Sequence, residues 1–176
     1  MKTSSLSRDH TIHVDNSGLL TIVGGKWTTY RHMAEDCVDH AITLGELNDV
    51  PSGTHDLKIH GYKQDVDSLN SLGVYGSDAE KILALAAADK RLGQRLHPDL
   101  PYIAAEVIWG VREEMARTVD DMLSRRTRAL FLNARAAIAM APAVAKLMAE
   151  ELGAGQDWID QQLEQFNDLA RKYLLP

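Results

Sequence analysis

Gly24-Gly25-Lys26-Trp27-Thr28 is the stretch whose residue types and order could do chemistry. It follows the apolar, β-rich run Leu19-Leu20-Thr21-Ile22-Val23 and precedes residues spaced as in a helix, so it reads as a strand feeding a helix. Two glycines remove every side chain at the junction and let a ligand approach the backbone. The first N–H groups of the next helix lack partners and carry partial positive charge, to which Lys26 adds a full one. Such a turn suits an anionic or electron-rich ligand, a cofactor or a phosphate. An ordinary tight strand–helix turn would use the same glycines, and these five residues alone do not separate the two.

Other candidates carry less. His10 and His13 sit three apart on a strand and point to opposite faces, so one metal ion cannot take both without a bulge. His32 and His40 are eight apart on one helix, too far for one ion. No metal is expected. Cys37, the lone cysteine, falls on an apolar stripe and reads as a small core residue; it excludes an internal disulfide and fits a reducing, cytosolic setting. Arg125-Arg126-Thr127-Arg128 would suggest a nucleic-acid patch, but Glu113, Glu114, Asp120 and Asp121 precede it. The spacing of Glu114, Arg117, Asp121 and Arg125 fits an ion-pair ladder between helices instead.

The elements that must position these residues follow from periodicity. His10 to Val14 alternates, Asp15-Asn16-Ser17-Gly18 supplies turn chemistry, and Leu19 to Val23 returns, a β-hairpin. From Trp27 the period becomes helical, with Trp27, Tyr30, Ala34, Cys37, Val38 and Ala41 on one face and an end near Gly45. Glu46 to Gly61 is polar, holds Pro51 and Gly53, and reads as a linker. Beyond it nearly everything is helical. A helix capped at Ser77 or Asp78 runs to about Leu92, with Ile82, Leu85 and Ala86 inward. Leu96 to Pro101 is a rigid connector. A helix from Tyr102 to Arg117 carries a stripe of Ala105, Ile108, Trp109, Met115, Ala116 and Val119. Thr118 caps a short helix to Arg128, with Asp120 and Asp121 in its first turn. Asn133 to Leu152 is helical but kinked or split at Pro142. Asp157 to Leu174 is amphipathic, with Ile159, Leu163, Phe166, Ala170 and Tyr173 on one face.

The predicted fold is mostly α: a helical domain of five to six helices over 62–176, preceded by a short hairpin and helix over 1–45 left over from an α/β domain, with 46–61 as the linker. Two strands make too little sheet to stand alone, so the other strands are expected upstream. The 176 residues, 45% hydrophobic and 25% charged, suffice for one good core. A net charge of −6 disfavours a sequence-independent grip on nucleic acid or anionic lipid. No apolar run reaches the roughly 18 residues of a membrane span, and the polar N-terminus is not a secretory signal.

Ser7-Arg8-Asp9-His10 and the run from Gly18 through Gly24-Gly25-Lys26-Trp27-Thr28-Thr29-Tyr30-Arg31 to Asp36 resemble the end of the flavin domain of FAD-dependent glycerol-3-phosphate dehydrogenases and the related α-glycerophosphate oxidases. Leu96-His97-Pro98-Asp99-Leu100-Pro101-Tyr102, Ala105-Glu106-Val107 and Glu114 to Arg128 resemble their helical C-terminal domain. Two long motifs in the right order make this resemblance specific; residues 46–76 are its least specific part. It implies oxidation of sn-glycerol 3-phosphate to dihydroxyacetone phosphate by hydride transfer to FAD, with electrons passing to quinone or oxygen. It places Gly24, Gly25, Lys26, Trp27 and Thr28 at the pyrimidine edge of the flavin, with Lys26 also facing substrate. Arg8 would help to hold the anionic substrate.

No Gly-x-Gly-x-x-Gly occurs in the chain, so the ADP half of FAD has no site here. The chain is therefore expected to be a C-terminal piece, inactive alone and not retaining FAD. Its expected partners are the upstream flavin domain and, in the whole enzyme, glycerol 3-phosphate, with oligomerisation as a further role. Nucleic acid is not among them. Membrane association would come only through the full-length enzyme, cytoplasmic and peripheral at the inner face of the membrane. The alternative is a self-contained helical protein-interaction domain without catalysis. Buried Trp27, Leu20 and Ile22 would favour that module; exposed, they would mark a severed domain.

Overall fold

The alternating run at residues 10–23 forms an antiparallel hairpin of β1 (His10–Val14) and β2 (Leu20–Gly24), with Ile12 opposite Ile22 and Val14 opposite Leu20. Its turn is closed by Asp15, whose Oδ1 accepts from the Ser17 and Leu19 N–H groups and the Ser17 hydroxyl at 2.6–3.1 Å. The computed structural model describes residues 9–65 and 71–174. It divides into a unit ending at Ile59 and a second from His60 onward.

In the first unit, a 3-10 turn at Trp27–Thr29 leads into α1 (Tyr30–Leu44), which ends at Gly45. His10 Nε2 and Asp36 Oδ2, 2.7 Å apart, tie the hairpin to the helix, and this hydrogen bond holds the Asp36 carboxyl below its ordinary range. The apolar stripe of this helix, whose exposure marks a severed domain rather than a self-contained module, faces solvent except at Cys37. Trp27, Tyr30, Ala34, Val38 and Ala41 are exposed, while Met33, Cys37 and Ile42 are half-buried. Among the described residues of this unit none is buried.

The second unit has a real core. A 3-10 turn at Ser71–Asp78 leads to α2 (Ala79–Ala88), which stops four residues short of the predicted Leu92 because Asp89 accepts the Arg91 N–H and turns the chain. The predicted connector at 96–101 is instead a second hairpin, β3 (Arg95–His97) and β4 (Leu100–Ile103). Pro98 stands in its turn and Pro101 in a two-stranded sheet whose outer edges need no ladder donor.

Next comes α3 (Ala104–Arg112), shorter than the predicted Tyr102–Arg117; its residues 104–111 are all buried. Met115, expected in its stripe, lies past the end with φ +55° and is 75% exposed. Thr118 begins the next turn as predicted: its hydroxyl accepts the Asp121 N–H while Asp121 Oδ2 accepts the Arg117 and Thr118 N–H groups, all at 3.0 Å. The turn then widens to π geometry over Asp121–Arg126, with the Thr127 N–H donating to the Met122 carbonyl.

After the short α4 (Ala129–Leu132), α5 (Ala134–Leu152) runs unbroken through Pro142, where a kink or split was predicted. Pro142 is on the exposed side, where the carbonyl it leaves unpaired can meet water, and Ala141, Val144 and Ala145 hold the helix in place by their burial. Asn133 caps it by accepting the Ala136 N–H. The alanine-rich face of α5 lets α3 and α6 (Gln156–Arg171) pack close, with Phe166 and Ala170 buried against it. Tyr173, placed inward by its spacing, is past the end of α6 and half-exposed, edge-on to Phe131 at 5.5 Å.

Glu106 enters the sequence reading only within the Ala105-Glu106-Val107 motif. It is 1% exposed, accepts the Ile103 N–H at 2.7 Å and the Tyr75 hydroxyl at 3.1 Å, and so closes the N-terminus of α3. Burial pushes its carboxyl up to about 7 despite those hydrogen bonds, with Glu114 adding to the rise; desolvation and the Glu106 charge push the Tyr75 phenol up as well. A carboxyl whose pKa is higher folded than unfolded keeps its proton only in the folded state over that interval. Stability should therefore fall as pH rises from about 4.5 to 7 and stay lowered above it, by up to about 3 kcal/mol. Glu106→Gln, which can accept from Ile103 and donate to Tyr75, should flatten this slope and be the more stable protein at about pH 8. Urea unfolding at several pH values checks it; an unchanged slope would overturn the assignment.

Candidate functional site

Gly24 and Gly25 occupy the left-handed region at φ +82° and +80°. Glycine is favoured there by the backbone conformation, and a side chain would also crowd its neighbours. A Cβ on Gly24 would press on the Asp9 carbonyl at 3.0 Å, and one on Gly25 would run into the Met33 sulfur. The two residues turn the chain from β2 onto the helix without presenting a side chain. The helix does not start at once, as the sequence suggested. The Lys26 carbonyl accepts both the Thr29 N–H and its hydroxyl at 3.0 Å, which winds Trp27–Thr29 into a tighter 3-10 turn first.

Lys26, Trp27 and Thr28 are all exposed on this turn, and Trp27 is 87% exposed, its ring 5.8 Å from that of Tyr30. The N–H groups of Trp27 and Thr28 open the turn, where a helical ladder offers them no carbonyl. Lys26, Trp27 and Thr28 thus lie exposed beside the two glycines, and among the described residues the Lys26 ammonium has no ion-pair partner. Arg8, the predicted substrate contact, lies outside the described residues. Arg31 turns away to Glu35 at 2.7 Å, one helical turn on.

The second unit holds a cleft of about 390 Å³ that no spacing announced. Asp78, buried on its floor, accepts from His60 at 2.6 Å and Lys81 at 2.9 Å, and Lys81 lies 5.7 Å over the Trp109 ring. The Lys81 hydrogen bond, then that of His60, lowers the Asp78 carboxyl. His60 and Asp78 are 18 residues apart, so only the fold could bring them together. The predicted ladder forms in part. Arg125 pairs with Asp120 at 2.6 Å and Asp121 at 3.3 Å, but Arg117 spends its guanidinium on the Val111 and Ala116 carbonyls. Arg126 donates to the Glu114 carbonyl. These arginines brace the fold.

A mostly helical domain that follows a coreless hairpin–helix unit with an open glycine turn is the class of a C-terminal domain built to complete a larger protein. Comparison with known proteins agrees. The family model for the C-terminal domain of alpha-glycerophosphate oxidase matches residues 19–161. Mitochondrial glycerol-3-phosphate dehydrogenase of Bos taurus is 38% identical over 98% of this chain and 26% of its own length. The probable mitochondrial enzyme of Caenorhabditis elegans is 41% identical over 86% of this chain and 24% of its own, and that of Arabidopsis thaliana 32% over 98% and 32%. The chain belongs to the family of glycerol-3-phosphate dehydrogenases and α-glycerophosphate oxidases, within their C-terminal domain. It spans about a quarter to a third of the length of the curated relatives it matches. No described helix is long and apolar enough to cross a membrane.

The exposure of Trp27 can be measured. Trp109 is buried and Trp158 half-buried, so Trp27→Phe should remove most of the iodide-quenchable fluorescence of this chain. Quenching that survives the substitution would mean that Trp27 is covered.

Proposed function

We propose that this chain is the C-terminal part of a flavoenzyme that oxidises sn-glycerol 3-phosphate to dihydroxyacetone phosphate, and that it is inactive alone. The observation that carries the proposal is the left-handed Gly24–Gly25 turn with its exposed donors, in a chain matched to glycerol-3-phosphate dehydrogenases over 98% of its length. The turn fits a flavin. Its two glycines leave the backbone without side chains, and the exposed Lys26 beside the opening N–H groups would supply positive potential to an electron-rich ring edge. FAD, when bound, supplies the two-electron acceptor for the carbinol carbon of the substrate.

The chain's own residues bind and orient. The N–H groups of Trp27 and Thr28 would stabilise negative charge at the pyrimidine edge of the ring system. The Lys26 ammonium would attract that charge and the phosphate-bearing substrate together. Arg8 would add a planar, forked contact to the substrate phosphate. The ADP half of the cofactor and the remaining catalytic groups would come from the upstream domain. Of the three residues that separate the two readings Trp27 is exposed while Leu20 and Ile22 are half-buried; the self-contained interaction module is disfavoured by the bare Trp27 and by the absence of any buried residue among those described around it.

The test uses the full-length protein. It should purify with flavin and bleach under anaerobic sn-glycerol 3-phosphate, while the 176-residue chain with added FAD should not turn over. A flavin-free or unresponsive full-length protein would sink the reading, as would turnover by the chain alone. In the full-length enzyme Lys26→Met should lower kcat/KM by about tenfold or more, equivalent to about 1.4 kcal/mol of transition-state stabilisation. An unchanged kcat/KM would remove Lys26 from the site.

A further inference from the structure

We propose that residues 50–59, whose composition suggests a linker, form with α1 a docking groove whose occupant is an apolar segment of the upstream domain of the same protein. The inference rests on the functional reading above. A linker would leave the helix freely; this segment is tied back across it. Besides Glu35, the Arg31 guanidinium reaches the Thr54 hydroxyl at 3.3 Å. The Ser52 and Thr54 hydroxyls are 2.8 Å apart, the Thr54 N–H donates to the Ser52 hydroxyl at 3.3 Å, and the Leu57 N–H donates to the Thr54 carbonyl at 3.4 Å. The segment stands as a second wall, and between it and α1 lies an open groove of about 580 Å³. Tyr30, Ala34 and Val38 line one side, Val50, Leu57 and Ile59 the other.

Leu57 and Ile59 each leave 64% of their surface in water. Contiguous apolar surface of this kind marks an interface. Three occupants could cover it: a second copy, a membrane, or the rest of the same protein. A second copy brings no sheet of more than two strands among its described residues, and the hairpin on this unit needs a larger sheet to be stable. An anionic membrane surface would be met by a basic rim, whereas Glu35 and Asp39 line this groove beside Arg31. The rest of the protein fits. The matched part is a C-terminal domain, the relatives carry most of their length outside it, and this unit shows no buried residue among those described.

Hydroxyl-radical footprinting of the full-length protein against the 176-residue chain tests this. Val50, Leu57 and Ile59 should label readily in the chain and lose most of that labelling in the full-length protein, at every protein concentration. Val38→Asp in the full-length protein should restore the label at Leu57. Equal labelling in the two proteins would overturn the inference, as would protection that grows with protein concentration or appears only with anionic vesicles. Flavin content and substrate-dependent bleaching are read on the same sample. A responsive flavoprotein with a freely labelled groove sinks the docking inference alone; a protected groove in a flavin-free protein sinks the functional reading alone.

Discussion

A short helix with no solvent face governs the helical unit. Residues 104–111 of α3 are buried on every side, so neighbours must surround it. Val107 and Val111 face the large cluster centred on α5, while Ala105 and Trp109 face the smaller one built from Leu72 and Ile82. Gly110 keeps the π turn close, since a Cβ there would meet the Met122 sulfur at 2.7 Å. Arg112 ends the helix by reaching the Glu151 carboxylate with two nitrogens, which joins α3 to α5. The same enclosure puts a carboxyl in the interior. The N–H groups that open a buried helix cannot turn to water: those of Ala104 and Ala105 donate to the Gln94 and Leu92 carbonyls, and Glu106 accepts that of Ile103.

The hairpin unit is organised in the reverse way. Polar contacts hold it together: His10 to Asp36, Asp15 across its turn, Arg31 to Thr54. Trp27, Tyr30, Val38, Leu57 and Ile59 face out, which is costly for a free-standing domain and ordinary for one layer of a larger core. The glycine turn sits on this unit; under the proposed function it would be one wall of a pocket whose other walls come from the upstream domain. In the helical unit Asp78 and Arg126 are engaged in bracing.

Much of this was legible from local signals. Asp15 and Gly18 make the first hairpin turn, and the alternation on both sides sets its register; Thr118 and Asp121 cap each other as their spacing of three requires. Where reading failed, competing contacts were out of local view. Pro98 and Pro101 announced a break, but pairing of Arg95 with Ile103 makes a hairpin of it. Pro142 would stop an isolated helix; tertiary burial of Ala141 and Val144 carries α5 past it. Met115 kept the apolar spacing of a helix that had already ended.

The sequence by itself determined the glycine turn, the hairpin before it, the helical character of the remainder and the family to which both belong. Each depends on contacts within a few residues or on motifs that can be read in order. Tertiary structure decided which way the apolar stripe of α1 faces, that Glu106 is enclosed, that His60 meets Asp78, and that residues 50–59 are a wall. Those outcomes depend on what lies across a space from a residue, and periodicity specifies a face without specifying what covers it.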